Sequence, residues 1–174
     1  REMGEIDAIR PYCSGLDVVP VQKSGRAAIL QAPLSLQPYR AVKLQSGHFR
    51  TVVNGVAQQA TFDLIWVNFL EMLGYVSPQL AAGSTVVLDQ HNADELVWER
   101  YAHTGRWFTR AFAYQELWKL RRFQQRHLSD VDVLLCVSEQ DAEFMRARVP
   151  GSCQVWTAPN GVDLGFFETP SSPS

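Results

Sequence analysis

Apolar and polar positions along this chain fall into blocks of two kinds. Short runs rich in β-branched residues recur at Leu16–Val21 (LDVVPV), Phe62–Asn68 (FDLIWVN), Thr85–Leu88 (TVVL), Asp132–Val137 (DVLLCV) and Cys153–Thr157 (CQVWT). Near-continuous apolar runs of this kind predict buried strands. Pro20 places the end of the first run at an edge or exit, because proline cannot donate to a ladder. Between the runs lie stretches with helical character. Residues 2–15 read as the end of a helix and a loop, with Pro11 and Gly15 as breakers. Gly25–Gln31 predicts a short helix stopped by Pro33. Pro38, a favoured first-turn residue, opens a longer helix towards Gln59, with a weak point at Ser46-Gly47. Phe69–Leu73 reads as a short helix, Tyr75–Gly83 as a loop and Ala93–Tyr101 as helical. Beyond Gly105, Arg106–His127 carries Phe108, Phe112, Leu117, Leu120 and Phe123 broadly at helical spacing. Ser138, followed by Glu139 and Asp141, marks a last helix start, ended by Pro150.

Strands alternating with helices imply right-handed crossovers. The expected fold is therefore α/β and Rossmann-like: a doubly wound, mainly parallel sheet with helices on both faces. It occupies residues 1–167 as one domain, with residues 168–174 a linker or disordered tail.

Composition narrows the class. A chain of 174 residues suits one domain with a sizeable core, and 46% hydrophobic with 20% charged residues describes a folded, soluble protein. A net charge of −2 exerts no global pull towards nucleic acid or membrane. No apolar run approaches the roughly 20 residues of a membrane helix, and REMGEIDAIRPYC shows no secretory signal. Cys13, Cys136 and Cys153 form no CxxC pair, and Cys136 lies inside an apolar run as a small hydrophobe. A reducing, cytoplasmic setting fits best.

In an open parallel sheet the loops past the carboxyl ends of the strands line one crevice. The residues there are Gln22, Lys23 and Ser24; Asn68 and Glu71; His91 and Asn92; Ser138 and Glu139; and Asn160, Gly161 and Asp163. His91, in STVVLDQHN, is the most informative, since an imidazole can act as acid, base or donor near neutral pH. Taken alone, each also has a plainer reading. A loop histidine is commonly a structural hydrogen-bonder, Ser138 can cap a helix, and Asn160-Gly161 readily takes positive φ in a tight turn.

The stretches VVLDQHNADELVWERYA, DVLLCVSEQDAEFM and APNGVDLGFF, in that order and spacing, resemble the N-terminal domain of a retaining glycosyltransferase with two Rossmann-like domains, the GT-B architecture. Within that group the chain is similar to the bacterial family-four enzymes of polysaccharide and lipid-linked sugar assembly. Pro38-Tyr39 and FDLIWVNFLE fit the same pattern, so the resemblance covers most of residues 16–167. It implies a hexosyltransferase-like enzyme whose N-terminal half binds the acceptor, a saccharide or lipid-linked sugar. The enzyme's own C-terminal domain would bind the nucleotide sugar, a co-substrate rather than a cofactor, and carry a Glu-x7-Glu signature. Leu16–Val21 resembles a later strand of the family and the family crosses to its second domain after PNGVD. The resemblance thus implies a fragment, inactive alone, without the opening strand and glycine-rich loop. His91 matches the family histidine beside the reacting sugar and is the implied catalytic residue. Asn68, Glu71 and Asn92 are expected substrate contacts from their place past strand ends, and Ser138 matches the family serine after the fourth strand. Asn160, Gly161 and Asp163, which match the hinge turn, complete the expected substrate-binding set. Gln124 stands where relatives commonly carry an acid, against an ionic role there.

Three rival readings concern other residues. Asp130-Val131-Asp132 has the Asp-x-Asp spacing of metal-dependent glycosyltransferases of another fold, but it precedes a strand and reads as a solvated loop. Asp89, His91, Asp94 and Glu95 lack recognised metal-ligand spacing, so no metal is expected. The segment Arg100–Arg126 interleaves arginines with aromatics. It is read as a helix with aromatics inside and charges outside, or as a peripheral membrane contact; no nucleic-acid motif supports the third reading. Apolar surface left open by missing parts also predicts self-association as a homodimer. The different-class alternative to a glycosyltransferase is a noncatalytic Rossmann-like binding or interaction domain.

Overall fold

The computed structural model describes residues 2–20, 31–91 and 94–162. Strands β1 (Leu64–Asn68), β2 (Thr85–Gln90), β3 (Val133–Cys136) and β4 (Gln154–Thr157) pair in parallel, in chain order, as a four-stranded sheet. The helices are α1 (Glu2–Ile9), α2 (Tyr39–Leu44), α3 (Gly47–Gln59), α4 (Pro78–Ala81), α5 (Asp94–Thr104), α6 (Trp107–His127) and α7 (Glu139–Arg146). A 3₁₀ stretch, Leu70–Tyr75, follows β1. The architecture is α/β and Rossmann-like, with parallel strands joined by helical crossovers.

Register fixes the core. Val67 lies opposite Leu88, Leu88 opposite Leu134, and Leu134 opposite Val155. Side chains alternate across a strand, so these residues share one face with Val86 and Cys136. They pack with Leu70, Leu73, Leu120, Phe123, Ala142 and Met145, which come from every crossover. The physical reason is the strand order. Right-handed connections that each step to the next strand in the same direction pass over the same face. Among the described residues the crossovers therefore lie on one face rather than both. The other face carries Leu64 and Trp66, each 51% exposed, and Trp156, 55% exposed.

Leu16–Pro20 departs from expectation: it forms no strand and Val18 is exposed. Pro20 has no N–H for a ladder, and β1 pairs with β2 alone. Val21, Gln22, Lys23, Ser24 and all but Gln31 of the helix expected over Gly25–Gln31 lie outside the described residues. The long helix expected from Pro38 breaks at its weak point. Ser46 caps α3 by accepting from Phe49 N–H at 3.2 Å, and the Tyr75 hydroxyl accepts from Ser46 N–H and donates to Leu44 C=O, both at 2.7 Å. The loop expected over Tyr75–Gly83 contains α4, capped by Ser77. It closes on Gly83 at φ +81°, a conformation glycine adopts without a Cβ penalty.

A buried ion pair fastens the segment before α2 to the long helix. Lys119 Nζ donates to Glu116 Oε1 at 2.9 Å and to Ala32 C=O at 2.6 Å, while Tyr39 N–H donates to Glu116 Oε2 at 2.6 Å. Both side chains are 1% exposed, so the pair persists only because each polar atom is partnered.

Candidate functional site

The carboxyl end of β1 delivers Phe69 in an uncommon backbone conformation, φ 71° and ψ 137°. It is the one non-glycine residue at positive φ among those described. Backbone strain of this kind costs on the order of 1–3 kcal/mol and survives only where its surroundings hold it. Here Phe69 N–H donates to Asp89 C=O at 3.0 Å, coupling the ends of β1 and β2.

β2 runs two residues further than expected, through Asp89 and Gln90, and presents His91 directly after it. The His91 ring lies against the Phe69 ring, with centroids 5.1 Å apart and planes at 32°. Its Nε2 is 3.8 Å from Asp89 Oδ1, within ion-pair range but beyond a hydrogen bond. The His91 side chain is 39% exposed. An imidazole so placed can hydrogen-bond a ligand through its ring nitrogens.

Beneath this pair lies an ion cluster. Arg40, on α2, pairs through Nε with Glu71 Oε1 at 3.1 Å and through Nη1 with both Asp94 oxygens at 3.2 Å. Its guanidinium also sits over the Phe69 ring, 5.4 Å from the centroid. Asp94 is the first residue of α5, so Arg40 grips the element that follows the His91 loop. Burial pushes the Glu71 carboxyl above its ordinary pKa, opposed by Arg40. Asp94 is raised for the same reason, again opposed by Arg40. Glu71 Oε2 is buried without a hydrogen-bond partner, so desolvation outweighs the single arginine.

Of the sequence candidates, the structure brings His91 and Glu71 together through Phe69 and Arg40. Asn68 stands exposed at the end of β1, opposite Asp89 in the register. Ser138 is occupied as a cap: its hydroxyl accepts from Asp141 N–H at 3.1 Å and donates to Asp141 Oδ2 at 2.6 Å. Asn160 and Gly161 are exposed beyond β4, and neither takes positive φ, so the tight Asn-Gly turn is absent. The segment follows β4 in parallel, with Ala158 N–H on Cys136 C=O, which leaves no reversal for such a turn to make. Asn92 and Asp163 lie outside the described residues.

Arg40 and Phe69 were not singled out in the sequence, and Asp94 entered only as a rejected metal-ligand candidate. The available signal was Glu71 itself, an acid in the apolar stretch LEMLGY that needs a cation once buried. At the amino end of the sheet, Asp132 Oδ2 accepts Val86 N–H at 2.8 Å, so this half of Asp-x-Asp ties β2 to β3. Among the described residues, no group of three or more His, Cys, Asp or Glu side chains is placed to hold a metal ion. Gln124 is buried on α6, and its Nε2 has no hydrogen-bond partner.

A family model, Glycosyltransferase Family 4, matches residues 18–166. No curated protein and no solved structure matches the chain.

Proposed function

From the premise that the chain belongs to glycosyltransferase family 4, whose substrates in general are a sugar donor and an acceptor, we propose that this domain is the acceptor-binding half of a retaining, hexosyltransferase-like enzyme of bacterial type. The donor is a nucleotide sugar held mainly by a second, C-terminal domain, and the acceptor is a saccharide or a lipid-linked sugar. Transfer takes place without a metal ion or other cofactor, in polysaccharide biosynthesis on the cytoplasmic side of the membrane. The observation that carries this reading is His91, placed at the carboxyl end of the sheet beside the strained Phe69 and Asp89.

Transfer with retention builds positive charge on the sugar ring and negative charge on the departing phosphate. A neutral imidazole at the carboxyl end of the sheet can hydrogen-bond a sugar hydroxyl and orient the ring without repelling that cationic centre. Asn68, at the end of β1, is in reach of the same sugar's hydroxyls in this reading, and Asn92, next to His91 in the sequence, is a second candidate contact. Arg40 and Glu71 act one step away, by fixing Phe69 and the start of α5.

His91→Ala in the full-length enzyme tests the reading. A lost positioned contact costs roughly a hundredfold in rate at saturating donor, and a half-exposed side chain should leave Tm nearly unchanged. Transfer is followed with labelled UDP- and GDP-sugars and polyprenyl-diphosphate-linked acceptors, and product anomeric configuration by NMR. A variant that melts much lower yet turns over normally when folded would make His91 structural and favour a noncatalytic binding domain.

A further inference from the structure

Helices α5 and α6 form a hairpin whose two halves differ. Pairing is antiparallel: Arg121 meets Glu99 at 2.8 Å, and Arg110 Nε donates to Ala102 C=O at 3.0 Å. The corner is tight at Gly105, where a Cβ would stand 2.8 Å from Tyr101 C=O and 3.0 Å from Thr109 Cβ. From Ala113 onward α6 carries buried residues, and Leu120 and Phe123 pack with the core of the sheet. Before Ala113, none of Trp107–Phe112 is buried.

Length explains the difference. α6 has 21 residues, about 31 Å at 1.5 Å per residue, whereas strands of four to six residues span about 13–20 Å. α6 ends beside the amino edge of the sheet, where β3 begins, so its first turns extend past the carboxyl edge that carries His91.

What the tip exposes is specific. Trp107 is 81% exposed, and Tyr101, Phe108, Tyr114 and Trp118 are each about half exposed. Trp107, Tyr114 and Trp118 share one stripe of α6, spaced as one helix face. From Arg100 to Gln115 the hairpin carries Arg100, Arg106 and Arg110 and no acid, in a chain whose net charge is −2. Arg106 lies over the Phe108 ring, 5.5 Å from the centroid, so charge and aromatic surface are presented together. Amphipathic rings with arginines among them suit the headgroup layer of a bilayer, where one end is apolar and the other wet. Local positive charge without acids adds attraction to anionic lipid. No helix among the described residues is long and apolar enough to cross a membrane, so the contact is at the surface.

We propose that the tip of the α5–α6 hairpin, Arg100–Tyr114 with Trp118, docks on a bilayer surface containing anionic lipid. This gives the open reading of membrane contact a place in the fold, beyond the strand ends at which a lipid-linked acceptor would have to arrive. It stands on the exposed surface alone and is read without turnover, so its failure leaves the glycosyl-transfer reading intact, and the reverse holds too.

The test is co-sedimentation of the full chain with phosphatidylcholine vesicles, pure or with roughly 30 mol% phosphatidylglycerol, at low and physiological salt. Binding is expected on the anionic vesicles, weakening with salt, and at least about tenfold less on the pure ones. Arg100→Glu/Arg106→Glu and, separately, Trp107→Ala/Phe108→Ala should each reduce it by about tenfold or more, with Tm unchanged because these side chains are exposed. Trp156→Ala, an exposed aromatic on the open sheet face, should leave it as it was. Failure to bind either vesicle overturns the proposal. So does binding that the charge reversals leave untouched, or binding lost equally in Trp156→Ala. Association of the tip with single-stranded nucleic acid in place of vesicles also overturns it.

Discussion

Arg40→Ala is the sharpest probe of the site, because among the described residues Arg40 is the cation shared by Glu71, Asp94 and the Phe69 ring. Removing one partner of a fully buried pair costs about 3–5 kcal/mol. The Glu71 side chain is 2% exposed, but that of Arg40 is 39% exposed, so water already screens part of the interaction. The expected loss at pH 7 is therefore about 2–3 kcal/mol, the lower end of that range and below. The pH dependence has a definite sign. Glu71 already sits above its ordinary pKa in the folded protein, so the folded state holds that proton more tightly than the unfolded chain does. Its contribution to stability is thus greatest at low pH and declines as pH rises from the unfolded value through the folded one. Arg40 is the leading influence that lowers Glu71 and Asp94. Without it both carboxyls rise further, and the penalty is largest near neutrality and shrinks on acidification. Urea unfolding across about pH 4.5 to 8 measures this directly. Glu71→Gln added to Arg40→Ala should restore about half the loss at pH 7, since an amide needs no counter-charge. A cost under about 0.5 kcal/mol, or one that grows as pH falls, would refute the assignment of Arg40 as the buried counter-ion.

Two further outcomes concern the rest of the molecule. Glu116→Ala strands Lys119 in the core and should cost about 3–5 kcal/mol, while Glu116→Leu with Lys119→Met removes both charges and should recover most of it; paired denaturation curves decide, and equal losses would mean the two charges do not depend on each other. Burial pushes the Cys136 thiol up to about 11 and raises Cys153 as well, whereas Cys13 is exposed. A thiolate-selective disulfide reagent at about pH 8 should therefore label Cys13 promptly, and Cys136 and Cys153 only as the protein unfolds.

The strands and crossovers were legible because buried parallel strands write themselves as apolar runs, and Ser46-Gly47 and Ser138 announced a break and a cap. Leu16–Pro20 carried the same signal and made no strand, because composition cannot supply a pairing partner. Which face the helices cover was not legible either. That depends on strand order, and a chain of alternating strands and helices is compatible with winding in one direction or two. The positions of His91 and Glu71 were legible, since both sit just past strand ends, where the apolar runs stop. Arg40 was not, since its contact with Asp94 joins positions 54 residues apart with no periodicity to link them. Asn160-Gly161 shows the converse, a strong turn signal in a segment that β3 and β4 leave no reason to turn.

Strand order also governs how the domain is made. Among the described residues each strand joins beside the one synthesised just before it, so these four strands can be added in order as the chain leaves the ribosome. The intervals are unequal. β1 and β2, like β3 and β4, are separated by a short helical crossover, but β3 cannot arrive until the whole α5–α6 hairpin has been translated. Through that interval β2 is an open edge, with Val86 N–H lacking the carboxylate of Asp132 that later receives it. The nascent chain is most vulnerable to sticking to its neighbours while α6 is being made, and a pause in translation there would lengthen that window.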